Sequence, residues 1–236
     1  MAHIGTGHRG TLVVRCLVVI VLGTGLAGCG QAVHIDYANV LWYDGSEYVA
    51  QFQSTTVPLA ASDLGPTLFT VHRMYRDIPV SAPHQDGDAG ILAVGTPVYS
   101  VNGYRPTFRL AARFTGQIVL FEADFSTHAR TGADLLDIRG KVASIAVLDP
   151  QTHQPLGAIS APSAVSSLVE DVLNSPVEAT RLDQNVETWV VVFHLRDGTT
   201  TMRSYWRDSG LLMWGIETPP GFGQALQLAV ASPTPA

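Results

Sequence analysis

Lysine is nearly absent from this chain. Lys141 is the single lysine in 236 residues, and the rest of its 14 basic residues are arginine. Mechanisms that need a lysine elsewhere, such as S-x-x-K chemistry, are thereby excluded. Cysteine is scarce too, with Cys16 and Cys29 the only two. Charged residues make up 14 % of the chain, the formal net charge is −6, and no basic cluster occurs. That balance argues against nucleic-acid binding and against electrostatic docking on anionic lipid. The sequence also lacks G-x-S-x-G and H-E-x-x-H, the signatures of a nucleophile elbow and of a helical zinc site. Gly140-Lys141 lacks the upstream glycine of a P-loop, and Val142 stands where Ser or Thr belongs.

What is present begins at the N-terminus. Arg9 and Arg15 precede the apolar run Leu17 to Leu22, and small residues follow, the layout of an export signal. The run is shorter than the about 20 apolar residues of a membrane span. Leu26-Ala27-Gly28-Cys29 matches a lipobox: an aliphatic residue, two small ones, then a cysteine that receives lipid. We therefore expect cleavage between Gly28 and Cys29 and lipidation of Cys29, palmitate among the acyl groups. An N-terminal cysteine carrying at least two chains meets the requirement for stable anchoring. On this reading Cys16 is lost with the signal and Cys29 is thioether-linked, so no cysteine is left for a disulfide or a metal thiolate. Gly5-Gly7-Gly10 and Gly23-Gly25-Gly28 both match G-x-G-x-x-G, but neither sits between a strand and a helix as a dinucleotide site requires.

Beyond the signal, residues 29–36 read as a tether, 37–231 as a single β-rich domain and 232–236 as a disordered tail. A division near residues 162–186 is the alternative. Tyr37 to Tyr43 and Glu47 to Phe52 flank Asp44-Gly45, a strong hairpin signal. Leu68 to Arg73, Ile91 to Val94, Val98 to Val101, Thr107 to Phe114, Gln117 to Ala123, Lys141 to Leu148 and Gly157 to Ile159 read as further strands. Residues 77–90 hold two prolines, two glycines and three aspartates and are expected to form an exposed loop. In Thr107 to Phe114, Phe108, Leu110, Ala112 and Phe114 alternate with Arg109, Ala111 and Arg113, which predicts one apolar and one more polar face. A helix is expected from Ser163, its N-cap, with Val165, Leu168, Val169, Val172 and Leu173 on one face and Pro176 as its stop. Glu187 to Leu195, Thr199 to Trp206 and Leu211 to Glu217 make a three-stranded meander, and Phe222 to Val230 a second helix. The class is α+β, a mostly antiparallel sheet built from hairpins with two short helices packed on one side.

Gly95-Thr96-Pro97-Val98-Tyr99-Ser100-Val101-Asn102-Gly103-Tyr104, with Phe108 to Ala112 after it, resembles a motif of uncharacterised exported proteins and lipoproteins of Gram-positive bacteria. Leu41 to Tyr48 is similar to the hairpin that opens those proteins. The resemblance covers residues 37–125 well and the rest loosely. It implies an extracytoplasmic location and a β-rich fold, and it carries over no catalytic residue.

Four sets of residues are candidates for chemistry. His84, Asp86 and Asp88 alternate on the glycine-bearing loop and offer three ligands to one cation, although Gly90 and Pro97 depart from the EF-hand pattern. Glu122 and Asp124 flank an apolar position, as a pair for acid–base work or as solubilising charges on a sheet edge. His194, ending an apolar strand, reads as a packed core or rim histidine. Tyr99, Tyr104 and Arg109 are the candidates for a ligand pocket. Trp42, Tyr43, Tyr48, Tyr205, Trp206 and Trp214 also lie near turns, where aromatic rings line peptide or glycan grooves or pack across strands. The expectation is a membrane-anchored, non-enzymatic binding or scaffolding module of the cell envelope, without cofactor, attached through its lipid to the membrane and facing a protein, peptide or glycan. The alternative is a secreted hydrolase or metal-dependent enzyme using His84, Asp86 and Asp88, or Glu122 and Asp124.

Overall fold

A computed structural model of the chain describes residues 39–52, 59–79, 82–178, 188–213 and 215–232. These all fall in one compact unit, Asp36–Ala236. The signal, Cys29, the tether, Trp214 and all of the tail but Ser232 lie outside the described residues.

Among them the first hairpin follows from its turn. Asp44 and Gly45 both take positive φ, 48° and 64°, the primed turn whose twist matches right-twisted strands. It joins β1 (Val40–Tyr43) to β2 (Ser46–Gln51). The rest of the first sheet comprises β3 (Leu64–Thr70), β4 (Arg73–Met74), β5 (Asp88–Ala89), β6 (Pro97–Val101), β7 (Arg109–Phe114) and β8 (Gln117–Ser126). Its order is β3-β6-β7-β8-β2-β1-β5-β4, antiparallel except for the β4–β5 pair. A second sheet has the order β10-β9-β11-β12-β13-β14. Its strands are β9 (Val142–Leu148), β10 (Pro155–Ile159), β11 (Thr188–Leu195), β12 (Thr200–Trp206), β13 (Leu211–Leu212) and β14 (Ile216–Glu217).

The fold is thus α+β and rich in antiparallel hairpins, as expected, but its strands divide between two sheets. Among the described residues three α-helices accompany them: α1 (Gly132–Leu135), α2 (Pro162–Asn174) and α3 (Pro220–Ala231). Helix α2 begins earlier than its Ser163 signal, at Pro162, with Ala161 as the extended N-cap, because proline's fixed φ suits the first helical turn. Ile91 to Val94 forms no strand; it bends, buries Leu92 and turns at Gly95, whose φ is 86°. The segment Leu211 to Glu217 is two short strands folded back at Gly215.

Burial of apolar side chains holds these layers together. One continuous core joins Leu41, Tyr48, Leu110 and Phe121 of the first sheet, with Phe108 just before β7, to Ile145, Val147, Val191 and Phe193 of the second. Val165, Leu168, Val169, Val172 and Leu173 of α2 and Phe222 and Leu226 of α3 close it. Each such side chain contributes about 1.5–3 kcal/mol on leaving water. Two glycines let neighbouring backbone pack closely against the helices. A Cβ at Gly132 would strike the Val172 carbonyl of α2, and one at Gly157 the Ala229 carbonyl of α3.

Candidate functional site

Strands β7 and β8 lie inside the first sheet and are buried on both faces. The alternation read in β7 therefore does not divide core from solvent. Arg109 and Ala111 are as inaccessible as Leu110 and Ala112, each 0 % exposed.

Arg109 pairs directly across the strands with Glu122. Its Nε and Nη2 donate to Glu122 Oε1 at 2.9 and 2.6 Å. Nη1 donates to the Thr199 hydroxyl at 2.7 Å, and Nη2 also to the Thr200 carbonyl at 2.8 Å. The other carboxylate oxygen, Oε2, accepts from the Thr201 hydroxyl at 2.6 Å and from Arg203 Nη1 at 3.0 Å. Arg203 Nη2 reaches the Ala123 carbonyl. Two cations and one anion are thus buried together, and the side chains of β12 lock the second sheet onto the first. Burying charge is costly unless it is paired and hydrogen-bonded; here both guanidinium groups share the Glu122 carboxylate, and both of its oxygens accept hydrogen bonds.

The rim of the cluster supplies the missing negative charge. Tyr104 Oη donates to Asp197 Oδ2 at 2.6 Å, and Asp197 Oδ1 accepts from the Thr199 amide and hydroxyl. Arg109 Cζ lies 4.6 Å and Lys141 Nζ 4.4 Å from the centroid of the Tyr104 ring, cation–π distances. Lys141 also bonds to Asp137 at 2.7 Å and to the Gly103 carbonyl. Burial and the bond to Asp197 push the Tyr104 phenol well above its usual range. Burial alone would raise Asp197, but the bonds from Tyr104 and Thr199 and the Arg109 charge outweigh it and lower its pKa.

Of the expected ligand pocket, the structure brings Tyr104 and Arg109 together and leaves Tyr99 apart, on β6 opposite Ala111 and Thr67. Arg109 is sealed from solvent, so these three residues line no pocket. Glu122 and Asp124 are not edge charges either: they lie within the sheet, 0 % and 7 % exposed. His194 is an exposed rim residue near the end of β11, with enough packing around it that desolvation lowers its pKa.

The loop expected to bind metal is organised by an ion pair. Arg73 grips Asp88 with two bonds, Nε to Oδ1 at 2.9 Å and Nη2 to Oδ2 at 2.8 Å, and the Gln85 amide donates to Oδ2 as well. Asp88 is buried, which corrects the reading of residues 77–90 as wholly exposed. Asp86 turns away to cap the Asp44 amide at 2.8 Å. His84 stacks on Tyr75, centroids 4.6 Å apart, and lies 5.6 Å from the Trp42 ring. His84 Nδ1 comes within 4.0 Å of Asp88 Oδ2, but Asp86 is engaged elsewhere, and among the described residues no group of three or more His, Cys, Asp or Glu is placed to hold a metal ion.

Of the remaining aromatic candidates, Tyr48 and Tyr205 are core residues and Tyr43 stacks on Phe69 at 4.4 Å. An open groove of about 750 Å³ runs between α2 and α3, lined by Ala161, Ala164, Leu168, Ala225 and Leu228. No helix among the described residues is long and apolar enough to cross a membrane.

Sequence reasoning missed the cluster because its partners are far apart in the chain. Thr201 and Arg203, spaced for one face of a strand, were the available signal. No family model, curated protein or solved structure matches this chain.

Proposed function

We propose that this protein is a lipid-anchored lipoprotein of the bacterial cell envelope whose folded domain binds a partner outside the membrane and performs no catalysis. The lipobox Leu26-Ala27-Gly28-Cys29 carries the reading. It has the residue types, order and position that lipid transfer to a cysteine requires. The resemblance of residues 37–125 to exported lipoproteins points the same way.

Two features support a binding role over the enzymatic alternative. A general base needs a lone pair that a substrate can reach, yet both oxygens of Glu122 are occupied by Arg109, Thr201 and Arg203 in a sealed interior. A metal ligand needs a carboxylate free to turn toward the ion, yet Arg73 holds both oxygens of Asp88. The polar clusters thus act as clamps that stiffen a scaffold, and rigid scaffolds position recognition surfaces.

Mass spectrometry of the N-terminal peptide from cell membranes tests the reading. A peptide beginning at Cys29 with a diacylglyceryl mass is expected. A chain that keeps Met1 and an unmodified Cys29 would overturn it.

A further inference from the structure

The register of β1, β2 and β8 sets Trp42, Glu47 and Phe125 in one row. Trp42 faces Glu47 across the first hairpin, and Glu47 faces Phe125 across the next pair. Neighbours Leu41 and Tyr48 point into the core, so by strand alternation this row lies on the opposite face.

The two rings converge, with centroids 6.3 Å apart and planes 33° apart. His84 extends the surface beyond Trp42 at 5.6 Å and 37°. Phe125 is 38 % exposed, and the His84 side chain is 36 % exposed. The result is a shallow platform of three tilted rings open to solvent, with a carboxylate beside it.

That carboxylate is the anomaly. Glu47 is half-buried, accepts no hydrogen bond and forms no ion pair among the described residues, and the one charge that reaches it is His84. Desolvation accordingly raises its pKa. Two other carboxylates of this region have tasks: Asp88 is gripped by Arg73, and Asp86 caps the Asp44 amide. Charges taken out of water are ordinarily paired. Here the one charged neighbour is His84, which itself lies 4.0 Å from Asp88 Oδ2, and aromatic rings flank the carboxylate.

We propose that Trp42, Phe125 and Glu47 form a surface site for a quaternary-ammonium group, held against the Trp42 and Phe125 rings with Glu47 as its counter-charge. Ring faces attract cations through their quadrupole. They offer no lone pair to replace lost water, so the platform favours a methylated, weakly hydrated cation over a primary ammonium. The acidic balance of the chain draws cations toward it. This names a ligand class for the binding role proposed above and rests on that reading.

The test uses the full chain carrying Cys29→Ala, so that no acyl chain confounds the lipid arm. Choline, its uncharged isostere 3,3-dimethylbutan-1-ol and phosphatidylcholine vesicles are each titrated while amide NMR shifts are followed. Choline is expected to bind and the isostere to fail, with Glu47→Gln weakening choline about tenfold and Phe125→Leu less. Binding to choline alone assigns a free ligand, and binding to vesicles as well assigns a lipid headgroup. Equal binding of the isostere, choline affinity unchanged in Glu47→Gln, or no shift with choline would each overturn the site. Phe125 is exposed and Glu47 half-buried, and a cooperative thermal transition confirms that the variants fold. Because Cys29 is already replaced, failure here leaves the anchor standing, and failure of the anchor leaves this titration readable.

Discussion

Arg109 and Glu122 face each other across β7 and β8 with two nitrogens on one carboxylate oxygen, at 2.9 and 2.6 Å, in a position closed to water. Arg203 and Thr201 complete the arrangement from the second sheet. Removing the anion strands two buried guanidinium groups. Glu122→Leu is expected to cost about 3–5 kcal/mol, read as a drop in urea midpoint. Replacing Arg109, Glu122 and Arg203 together by Met, Leu and Met should cost far less or raise stability. A triple variant as unstable as the single one would show that the cluster does more than cancel its own charges.

The rim of the same cluster sets the acid limit of the fold. Asp197 is more acidic in the folded chain than when unfolded, because the bonds from Tyr104 and Thr199 outweigh its burial. In Asp137, likewise, burial is outweighed by Lys141 and the Arg105 amide. A lowered carboxyl pKa stabilises the fold above about pH 4 and stops doing so as the pH falls through the folded value. Melting temperature should therefore fall on acidification below about pH 4. In Asp197→Asn the neutral value should be lower and the acid slope shallower. An unchanged slope would remove Asp197 from this role.

Glycine tests the packing of α3. Gly157 has no room for a methyl group under the Ala229 carbonyl, whereas nothing stands within 4 Å of a Cβ at Gly221. Gly157→Ala should destabilise by about 1–3 kcal/mol through overpacking. Gly221→Ala, in the first turn of α3, should stabilise by about 0.5–1 kcal/mol. Thermal denaturation of the two variants should move in opposite directions.

The Arg73–Asp88 pair makes a statement about metal. With both Asp88 oxygens held, millimolar calcium or zinc should leave the melting temperature unchanged, as should a chelator. Asp88→Asn should lower stability by about 1–3 kcal/mol, the cost of weakening a hydrogen-bonded buried group. A rise in melting temperature with added metal would restore the enzymatic alternative.

Much of the fold was legible where the determining physics is local. Asp44-Gly45 announces a primed turn because few residues accept positive φ, and the apolar spacing of Val165 to Leu173 announces a helix face. The polar interior was not legible. Alternation marks Arg109 as facing away from Leu110, but it cannot say whether that side meets water, since the answer lies with Thr199 to Arg203, some ninety residues on. The division into two sheets failed to show for the same reason. Strand β9 pairs with β11, Val147 opposite Val191, a long-range choice without a local marker. The unpaired Glu47 was invisible because its neighbours Trp42 and Phe125 become neighbours only through the register of three strands.

The central claim is the anchor, and metabolic labelling with a fatty-acid probe tests it most directly. Wild-type protein should take up label and sediment with membranes, and Cys29→Ala should do neither. Label retained by Cys29→Ala, or a wild-type chain without label, would contradict the account.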